Sequence, residues 1–412
     1  MTRLLPVTSV MTTAAAFAAL CTGAGVANAD GFSQSNLVSD MPGLATATDP
    51  SLVNPWGVSF VNGSPIWISD QGTQTSPLFP VTGSTGVASK PLFTVNIPPA
   101  GASGPTGQVA NAAALAGSSS AGFDISTTSG GNGKPADFIF ANLNGSIAAW
   151  NGNPVLTQAL TQTSVAGASF TGLAINSTDT ELFAANDAGA HGSIDVFNSS
   201  FAQVTGAGFA TPAAIAAAGL VPFDVKDIGG NVFVTYAPSG HTAQTMATAG
   251  QGAVAEFDEN GKFESMSTAS ADSKLASPWG IALAPMSFGK LGGDLLVGNF
   301  SFQPGVAGVI NAFNPTTWAF EGSIDVNPGA GNLQDGLWSL AFGGGGMDGN
   351  PNTLFFTDGI DGEKDGLFGS ITAAPGSLSA VPEPSTWAMM LAGFGGLALL
   401  AARRRRSLSA IG

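Results

Sequence analysis

The sequence is poor in charge, in cysteine and in long uninterrupted apolar runs. Charged residues make up 9% of its 412 residues, against about 25% in an ordinary soluble domain. This low charge argues against a helical bundle, a coiled coil or a charged disordered tail. The single cysteine, Cys21, lies in the N-terminal apolar segment, so the sequence that follows offers no disulfide and no thiolate nucleophile.

What the sequence has in quantity is glycine, proline and short apolar segments. Its mean hydropathy is +0.27, yet 57 Gly and 25 Pro interrupt nearly every apolar run. No interior stretch reaches the roughly 18 to 20 apolar residues of a membrane-spanning helix. Short apolar strands joined by tight turns account for this composition, so we expect an all-β domain.

Basic residues are scarce between the two ends of the chain. Residues 30–381 contain seven lysines, no arginine and 26 acidic residues, so the formal net charge of this part is seven minus 26, or −19. A surface this acidic repels phosphate backbones, which argues against nucleic acid as a partner. It favours cations, or neutral partners such as glycans.

The N-terminus predicts a secretory signal peptide over residues 1–29. An apolar stretch follows Arg3, and Ala27 and Ala29 are the small residues that signal peptidase requires before its cut. A short buried helix is the alternative for this segment. A lipoprotein anchor on Cys21 is disfavoured because a bulky leucine precedes the cysteine.

The C-terminus carries a three-part pattern over residues 382–412, after a linker at 374–381. A Pro-Glu-Pro motif and an arginine cluster flank an apolar run, and their residues are Pro382, Glu383, Pro384, Arg403, Arg404, Arg405 and Arg406. The run, Trp387 to Ala402, is slightly short for a bilayer but spans it when flanking residues extend to the interface. The arginines would hold that end in the cytoplasm.

This pattern resembles the PEP-CTERM sorting signal, whose helix is a transmembrane segment. The resemblance implies processing by an exosortase in a Gram-negative envelope. The domain would then lie in the periplasm, anchored to the inner membrane in transit, and afterwards at the outer surface or outside the cell. Exopolysaccharide or biofilm matrix is the setting that such bacteria often provide. A plain tail anchor is the alternative.

A unit of three or four strands recurs six times along the middle of the chain. Each unit opens with a turn and a strand, and equivalent positions in these strands are Gly57, Gly107, Gly172, Asp224, Gly280 and Ser339. Six units of about 40 to 60 residues indicate a six-bladed β-propeller over residues 30–373. The glycines would let neighbouring blades approach closely. A pair of β-sandwiches would explain neither the number of units nor their spacing.

The sixth unit stops after three strands, at Ala373. We expect Asn36 to Ser39 to supply its fourth strand, which would close the ring and remove an open sheet edge. Residues 112–136, rich in Ser, Gly and Ala, are expected to form a mobile insertion in blade 2.

Five segments carry a second resemblance. They are Asn36 to Asp40, Val53 to Gly57, Ser277 to Gly280, Gly293 to Phe300 and Gly366 to Ile371. With these segments, residues 32–373 resemble an uncharacterised bacterial family of six-bladed, NHL/YncE-like propellers. The resemblance implies the fold and supplies no activity.

Several chemistries are excluded by what the domain lacks. It has no arginine cluster for a sialidase site, no Gly-x-Ser-x-Gly elbow, and only His191 and His241, without the paired spacing of a zinc site. We expect both histidines to be turn residues.

Polar residues end the second strand of each blade on the face where the first strands begin. Their convergence would give a ligand site at the channel mouth, formed by Trp56, Asp70, Asn142, Asn186, Asp187, Asp224, Trp279, Asn299, Asp335, Trp338 and Asp358. Carboxylate and amide oxygens suit Ca²⁺, and aromatic faces with polar rims suit sugars. The alternative is that these Asp and Asn residues cap turns and that the Trp rings pack between blades.

The densest acidic loop is a candidate metal site. Its ligands would be Asp358, Asp361, Glu363 and Asp365, although their spacing is not that of an EF-hand.

Two hypotheses of function follow from the sequence. The first is a non-enzymatic, exported propeller that binds glycan or protein in the envelope matrix. The second is a Ca²⁺-dependent hydrolase of the lactonase type, with its site at the channel mouth. No catalytic residue set is evident, which favours the first.

Overall fold

The computed structural model describes residues 27–28 as backbone, and residues 31–87, 90–98, 103–189, 192–267, 273–329 and 336–374 in full. Of the predicted signal peptide, residues 1–26 and the cleavage residue Ala29 lie outside the described residues, whereas Ala27 and Asn28 belong to the described backbone. Asp335, His191, most of the linker and the whole sorting signal also lie outside the described residues.

The first half of the chain forms three four-stranded antiparallel sheets after an N-terminal extension. The extension contains β1 (Ala27–Asn28), β2 (Phe32–Ser39) and β3 (Ala47–Thr48). Blade 1 follows with β4 (Pro55–Ser59), β5 (Ile66–Asp70) and β6 (Thr75–Phe79), a small hairpin of β7 (Val81–Thr82) and β8 (Gly86–Val87), and β9 (Thr94–Asn96). Blade 2 consists of β10 (Pro105–Ala110), β11 (Phe138–Asn142), β12 (Ser146–Trp150) and β13 (Leu160–Ser164). Blade 3 consists of β14 (Phe170–Ile175), β15 (Glu181–Asn186), β16 (Ser193–Asn198) and β17 (Gln203–Val204).

The second half repeats the arrangement. Blade 4 consists of β18 (Leu220–Ile228), β19 (Asn231–Pro238), β20 (Ala253–Asp258) and β21 (Phe263–Met266). Blade 5 consists of β22 (Pro278–Leu283), β23 (Leu295–Asn299), β24 (Val309–Phe313) and β25 (Phe320–Asp325). Blade 6 contributes β26 (Leu337–Phe342), β27 (Thr353–Asp358) and β28 (Leu367–Ala373). Four short α-helices lie in loops of the described residues: α1 (Ala112–Leu115), α2 (Ala213–Ala217), α3 (His241–Thr245) and α4 (Ile360–Glu363).

Glycine on the first strands allows the blades to pack closely around the axis. A Cβ on Gly57 would meet the Thr106 carbonyl oxygen at 2.5 Å, and one on Gly107 would overlap the Leu173 backbone nitrogen. Gly280 has the same relation to Trp338 of the next blade. The close approach predicted from the repeat is therefore confirmed at these positions.

Every first strand carries a bulge or register shift near its start, as at Pro55/Val58 in blade 1 and Pro222/Asp224 in blade 4. A bulge redirects side chains where it interrupts the ladder. The six residues just before the repeat position sit at this irregularity, and they are Trp56, Thr106, Thr171, Phe223, Trp279 and Trp338.

The N-terminal strand completes the last blade, as the sequence predicts. β2 pairs antiparallel with β28 from Phe32 opposite Ala373 to Ser39 opposite Leu367. The Ser39 hydroxyl donates a hydrogen bond to the Gly366 carbonyl at 2.7 Å. Pairing of first and last strands closes the ring of the all-β, six-bladed propeller.

The insertion in blade 2 differs from the expectation of a mobile excursion. Phe123 and Ile125 are buried, and Phe123 packs edge-on against Phe201 with ring centroids 5.3 Å apart. The Phe123 N–H also donates to the Ser199 carbonyl. Two apolar residues in an otherwise small and polar segment are enough to attach it to blade 3.

Candidate functional site

An aromatic cluster fills the central channel near the entrance of the first strands. It consists of Trp56, Phe223, Ala237, Trp279, Phe300 and Trp338, all buried. The rings of Trp56 and Trp338 stack with centroids 3.5 Å apart, and Trp338 stacks on Phe300 at 4.1 Å. Trp279 meets Trp56 edge-on at 6.1 Å. The cluster lies between the two open ends of the channel: a cleft at one end, described next, and a funnel-shaped opening at the other.

The cleft has a volume of about 600 Å³ and lies where first strands begin and second strands end. Trp56 and Leu143 form its apolar base, and His241 and Glu363 stand at one side. Its other polar lining is mainly amide and hydroxyl: Asn54, Gln71, Ser169, Asp187, Ser239 and Gln244. A lining of this kind offers both donors and acceptors to a bound molecule.

A hydrogen-bond chain leads from the aromatic cluster to the cleft. The Trp338 indole N–H donates to Asn54 Oδ1 at 3.0 Å, and Asn54 Nδ2 donates to Glu363 Oε1 at 3.1 Å. The other carboxylate oxygen, Glu363 Oε2, lies 2.9 Å from His241 Nε2. Glu363 is therefore held on both oxygens, and it orients the imidazole.

The hydrogen bond and charge of Glu363 raise the pKa of His241 above its usual value, with a further contribution from Asp187. The His241 side chain is 60% exposed, whereas that of Glu363 is 12% exposed. The imidazole is thus available to a molecule in the cleft, while its carboxylate partner is covered. Asp187 accepts a hydrogen bond of 3.1 Å from Gln244 Nε2.

Two residues of this series of hydrogen bonds adopt left-handed backbone conformations that residues other than glycine rarely take. Asn54 has φ 48° and Glu363 has φ 67°. Such conformations cost on the order of 1 kcal/mol each and tend to persist at functional sites. Both residues belong to the chain that fixes His241.

The predicted ring of ligand residues is only partly assembled. Trp56 and Asp187 line the cleft. Trp279 and Trp338, expected to face a ligand, instead lie within the aromatic cluster, where their N–H groups donate to Thr171 O and Asn54 Oδ1. The bulge turns these rings toward the axis, so they pack on one another rather than on solvent.

Four other predicted residues hold turns together. Asn186 Oδ1 accepts from Ser169 N–H, and Asn299 Oδ1 accepts from Ala276 N–H. Asn142 Nδ2 donates to the hydroxyl and carbonyl oxygens of Ser146, and Asp358 Oδ1 accepts from Gly336 N–H. For these four the structural alternative is the one that the hydrogen bonds support.

The remaining predicted carboxylates lie in different places. Asp70 is buried beside the cleft, and neither of its oxygens has a hydrogen-bond partner among the described residues. Burial raises the pKa of Asp70 well above its usual range, as do Asp49 and Asp40. Asp224 lies in the channel below the aromatic cluster. Asp335 is outside the described residues.

The candidate metal loop does not gather its four acids. Asp358 bonds to Gly336, Asp361 lies 3.5 Å from the Lys364 ammonium, and Glu363 bonds to His241. Asp365 interacts with Asp40 instead. Within the described ranges no group of three His, Cys, Asp or Glu residues could hold a metal ion, so these residues do not fit the Ca²⁺ site expected from the sequence.

Sequence reasoning missed Gln71 and Gln244 and assigned His241 to an ordinary turn. Gln71 directly follows β5, and His241 begins the short helix after β19. Both positions follow the second strand of a blade, so topology alone could have brought them to this face. Glu363 was singled out, but as a metal ligand.

The arrangement supports two kinds of chemistry. Amides and hydroxyls around an indole base suit recognition of a hydroxylated molecule. A histidine held by a buried carboxylate suits transfer of a proton.

Comparisons with known proteins extend the description to the C-terminal part of the chain. Residues 380–406 match the model of the PEP-CTERM protein-sorting motif. "Uncharacterized protein R648" of Acanthamoeba polyphaga mimivirus is 28% identical over 351 residues, which cover 81% of this chain and 78% of that protein.

Two solved structures are similar at low sequence identity. A streptogramin B lyase structure is 12% identical, with a TM-score of 0.46, over 83% of this chain and 97% of the other. A protein of unknown function from Bacteroides thetaiotaomicron is 10% identical, with a TM-score of 0.47, over 83% and 76%. Neither likeness bears on activity.

The motif implies export, with passage through the membrane and processing by exosortase. Among the helices of the described part, none is long and apolar enough to cross a bilayer, and the predicted C-terminal helix lies outside that part. The chain is a six-bladed β-propeller that carries a PEP-CTERM sorting motif at its C-terminus.

Proposed function

We propose that this protein is an exported binding module whose cleft takes a glycan of the envelope or extracellular matrix. The observation that carries the proposal is the cleft of about 600 Å³ with an indole base and a wall of amides and hydroxyls. Its size falls within the usual range of small-molecule sites. Sugar hydroxyls both donate and accept, and this wall offers partners of both kinds.

The charge of the domain favours a neutral ligand over an anionic one. The propeller region carries 26 acidic residues and seven lysines, and Asp187 and Glu363 both reach the cleft. Their oxygens already accept hydrogen bonds from Gln244 and Asn54. A neutral oligosaccharide would meet these groups without the repulsion that an acidic polymer would suffer.

The test is a glycan array followed by calorimetric titration of the best neutral oligosaccharide. Gln71→Ala should weaken binding about two- to tenfold, the usual value of one hydrogen bond. Gln244→Ala should weaken it indirectly, because Gln244 is buried and positions the Asp187 carboxylate. Gln203→Ala is the matched control, because Gln203 is exposed on the outer strand of blade 3. Failure of every neutral glycan to bind, or equal loss in the control, would contradict the proposal.

We place the protein at the inner membrane during transit, with the propeller in the periplasm and the C-terminal helix in the bilayer. Signal peptidase would cut after Ala29, and exosortase near Pro382 to Pro384. Release to the outer surface or beyond would follow. The sorting motif supports this order of events.

A second candidate function is hydrolysis, and the His241–Glu363 pair favours it. An imidazole held by a carboxylate can remove a proton from water as the water attacks an ester or lactone carbonyl. The described residues hold no metal-binding group of three, so this candidate is stated without Ca²⁺.

Hydrolysis is tested with a panel of esters and lactones. Activity should fall about a hundredfold or more in His241→Ala, with a smaller loss in Glu363→Gln. The folded state of both variants is checked by circular dichroism. Turnover that survives in His241→Ala would eliminate this candidate and leave glycan binding unaffected.

A further inference from the structure

The channel opens on its second face as a funnel of about 330 Å³, below the aromatic cluster. Between cleft and funnel the channel narrows to a space of about 10 Å³ lined by Gly57, Gly107 and Asp224. The funnel is therefore a separate site, and its lining shares no residue with the cleft.

One lysine lines the inner level of this funnel, which is the part nearer to the aromatic cluster; the outer level is the part nearer to solvent. Lys226 lies on β18, two residues after the repeat position of blade 4. The five equivalent positions on the other blades carry small or compact side chains: Ser59, Val109, Ala174, Ala282 and Ala341. The contrast leaves open space around the lysine.

The Lys226 ammonium has no hydrogen bond or ion pair with any described residue. Asp224, one level higher, attracts it electrostatically, but burial raises the pKa of Asp224 well above its usual range and favours the neutral acid. Burial also lowers the pKa of Lys226. Across the same level, the Ser59 hydroxyl is buried without a hydrogen-bond partner.

The outer level of the funnel is apolar. Large side chains stand there on four blades: Phe60, Ile175, Leu283 and Phe342. Leu283 is 44% exposed. Asp227, the acidic residue at this level, accepts a hydrogen bond from Gly230 N–H across the β18–β19 turn.

We propose that the funnel binds a free medium-chain carboxylate, with its carboxylate on Lys226 and Ser59 and its hydrocarbon chain against the apolar outer level. The carboxylate would supply an acceptor to the buried Ser59 hydroxyl and a negative charge to the half-buried Lys226 ammonium. The chain would cover the apolar side chains that the ring leaves exposed. A volume of about 330 Å³ holds roughly ten groups the size of water, which matches an acid of about eight carbons.

The arrangement also explains a lysine in so acidic a domain. Partial burial of a cation is costly, and at Lys226 the attraction that offsets this cost within the protein comes from Asp224. A ligand that brings its own negative charge offsets this cost at one position only.

The test is titration of the full chain, freed of bound lipid, with octanoate, octanol and octylamine, followed by calorimetry. Octanoate should bind, octanol should bind about tenfold or more weakly because it lacks the charge-assisted hydrogen bond, and octylamine should not bind. These ligand controls need no variant, so the proposal stays testable if a substitution disturbs folding.

Two variants locate the site. Lys226→Met keeps the length of the side chain and should weaken octanoate binding about tenfold or more. Lys262→Met makes the same change at an exposed lysine between β20 and β21 and should leave octanoate binding unchanged. Absence of octanoate binding at millimolar concentration, equal binding of octylamine, or unchanged binding in Lys226→Met would overturn the proposal, whatever the outcome for glycans.

Discussion

Glu363 combines three unusual properties in one residue. It is nearly buried, it holds a left-handed backbone conformation, and it accepts hydrogen bonds on both carboxylate oxygens. Its partner His241 is charged only in the lower part of the pH range. The pair therefore stabilises the fold below the usual pKa of histidine, and this contribution is lost as the pH rises through the raised pKa of His241.

Substitution of Glu363 by Gln should lower the pKa of His241. The amide oxygen of the glutamine can still accept the hydrogen bond from Asn54 Nδ2. The substitution removes the negative charge that favours the imidazolium. Proton NMR of the imidazole signals measures the effect, because the chain has only two histidines. His191 serves as the internal control, and an unchanged pKa of His241 would refute the role given to Glu363.

Gly107→Ala should destabilise the propeller by about 1–3 kcal/mol or more, since the new Cβ would overlap the Leu173 backbone in the next blade. Ser339→Ala is the matched control, because the equivalent position of blade 6 already carries a Cβ. Its cost should be below about 1 kcal/mol. Urea unfolding of both variants measures the difference, and equal midpoints would disprove close packing as the reason for glycine.

Individual site residues were harder to predict than this glycine pattern. The repeat revealed Trp56, Trp279 and Trp338 as equivalent, but nothing in the sequence says that a bulge turns Trp279 and Trp338 into a common cluster. Both rings are buried there, which agrees with the packing alternative that the sequence left open. His241 was assigned to a turn because its partner Glu363 lies more than 100 residues away in the chain, and such pairings depend on blade geometry.

At the scale of elements, closure of the ring depends on β2. Its pairing with β28 spans the whole length of both strands. Immediately after β2, Asp40 Oδ1 accepts the Gly366 N–H at 2.9 Å. Burial, together with the charge and hydrogen bond of the neighbouring Asp365, raises the pKa of Asp40 to about 6. An acid with a raised pKa stabilises the fold at low pH, and this contribution is lost as the pH rises through about 6.

Asp40→Asn should prevent the loss of folding stability that deprotonation of Asp40 causes beside the β2–β28 pair. The amide oxygen can still accept the Gly366 N–H, while the repulsion between two carboxylates disappears. We expect the variant to be more stable than the wild type by about 1 kcal/mol at pH 7.5, after allowance for solvent screening, and equal to it near pH 4. Thermal melts across this range measure the difference, and a constant gap would argue against titration of Asp40.

The strands themselves were largely predictable, including the role of Asn36 to Ser39 in the sixth blade. Apolar runs punctuated by glycine and proline mark each strand without reference to tertiary structure. The insertion at 112–136 was judged on composition, and its two buried residues, Phe123 and Ile125, outweighed the surrounding Ser and Gly. The bulges could not be predicted because the first strands are buried on both faces, so they show no hydrophobic alternation that an extra residue could interrupt.

As a whole molecule, the propeller stands apart from the sorting signal that follows it. The described fold ends at Ala374, whereas the sorting motif begins at residue 380. Among the described residues, blade packing and strand pairing lie within residues 27–374, so the stability of the ring should not depend on the tail.

Removal of residues 382–412 should therefore change location and leave the melting temperature unchanged within about 1 °C. Cell fractionation should find the truncated protein in the periplasm, while the full chain reaches the outer surface or the medium. Replacement of Glu383 by Ala is a milder variant with the same expected effect. Identical distribution of all three proteins would contradict sorting by this motif.

Gly31 and Ala374 are joined by a hydrogen bond of 2.7 Å, from the Ala374 N–H to the Gly31 carbonyl. Both ends of the chain thus leave the ring at one place, the outer edge of blade 6. A force applied to the two ends of the described fold would therefore act on the outer part of blade 6. A pull on the two termini therefore enters at one end of the β2–β28 pair, and it would separate the hydrogen bonds of that pair one after another, beginning with the bond between Gly31 and Ala374.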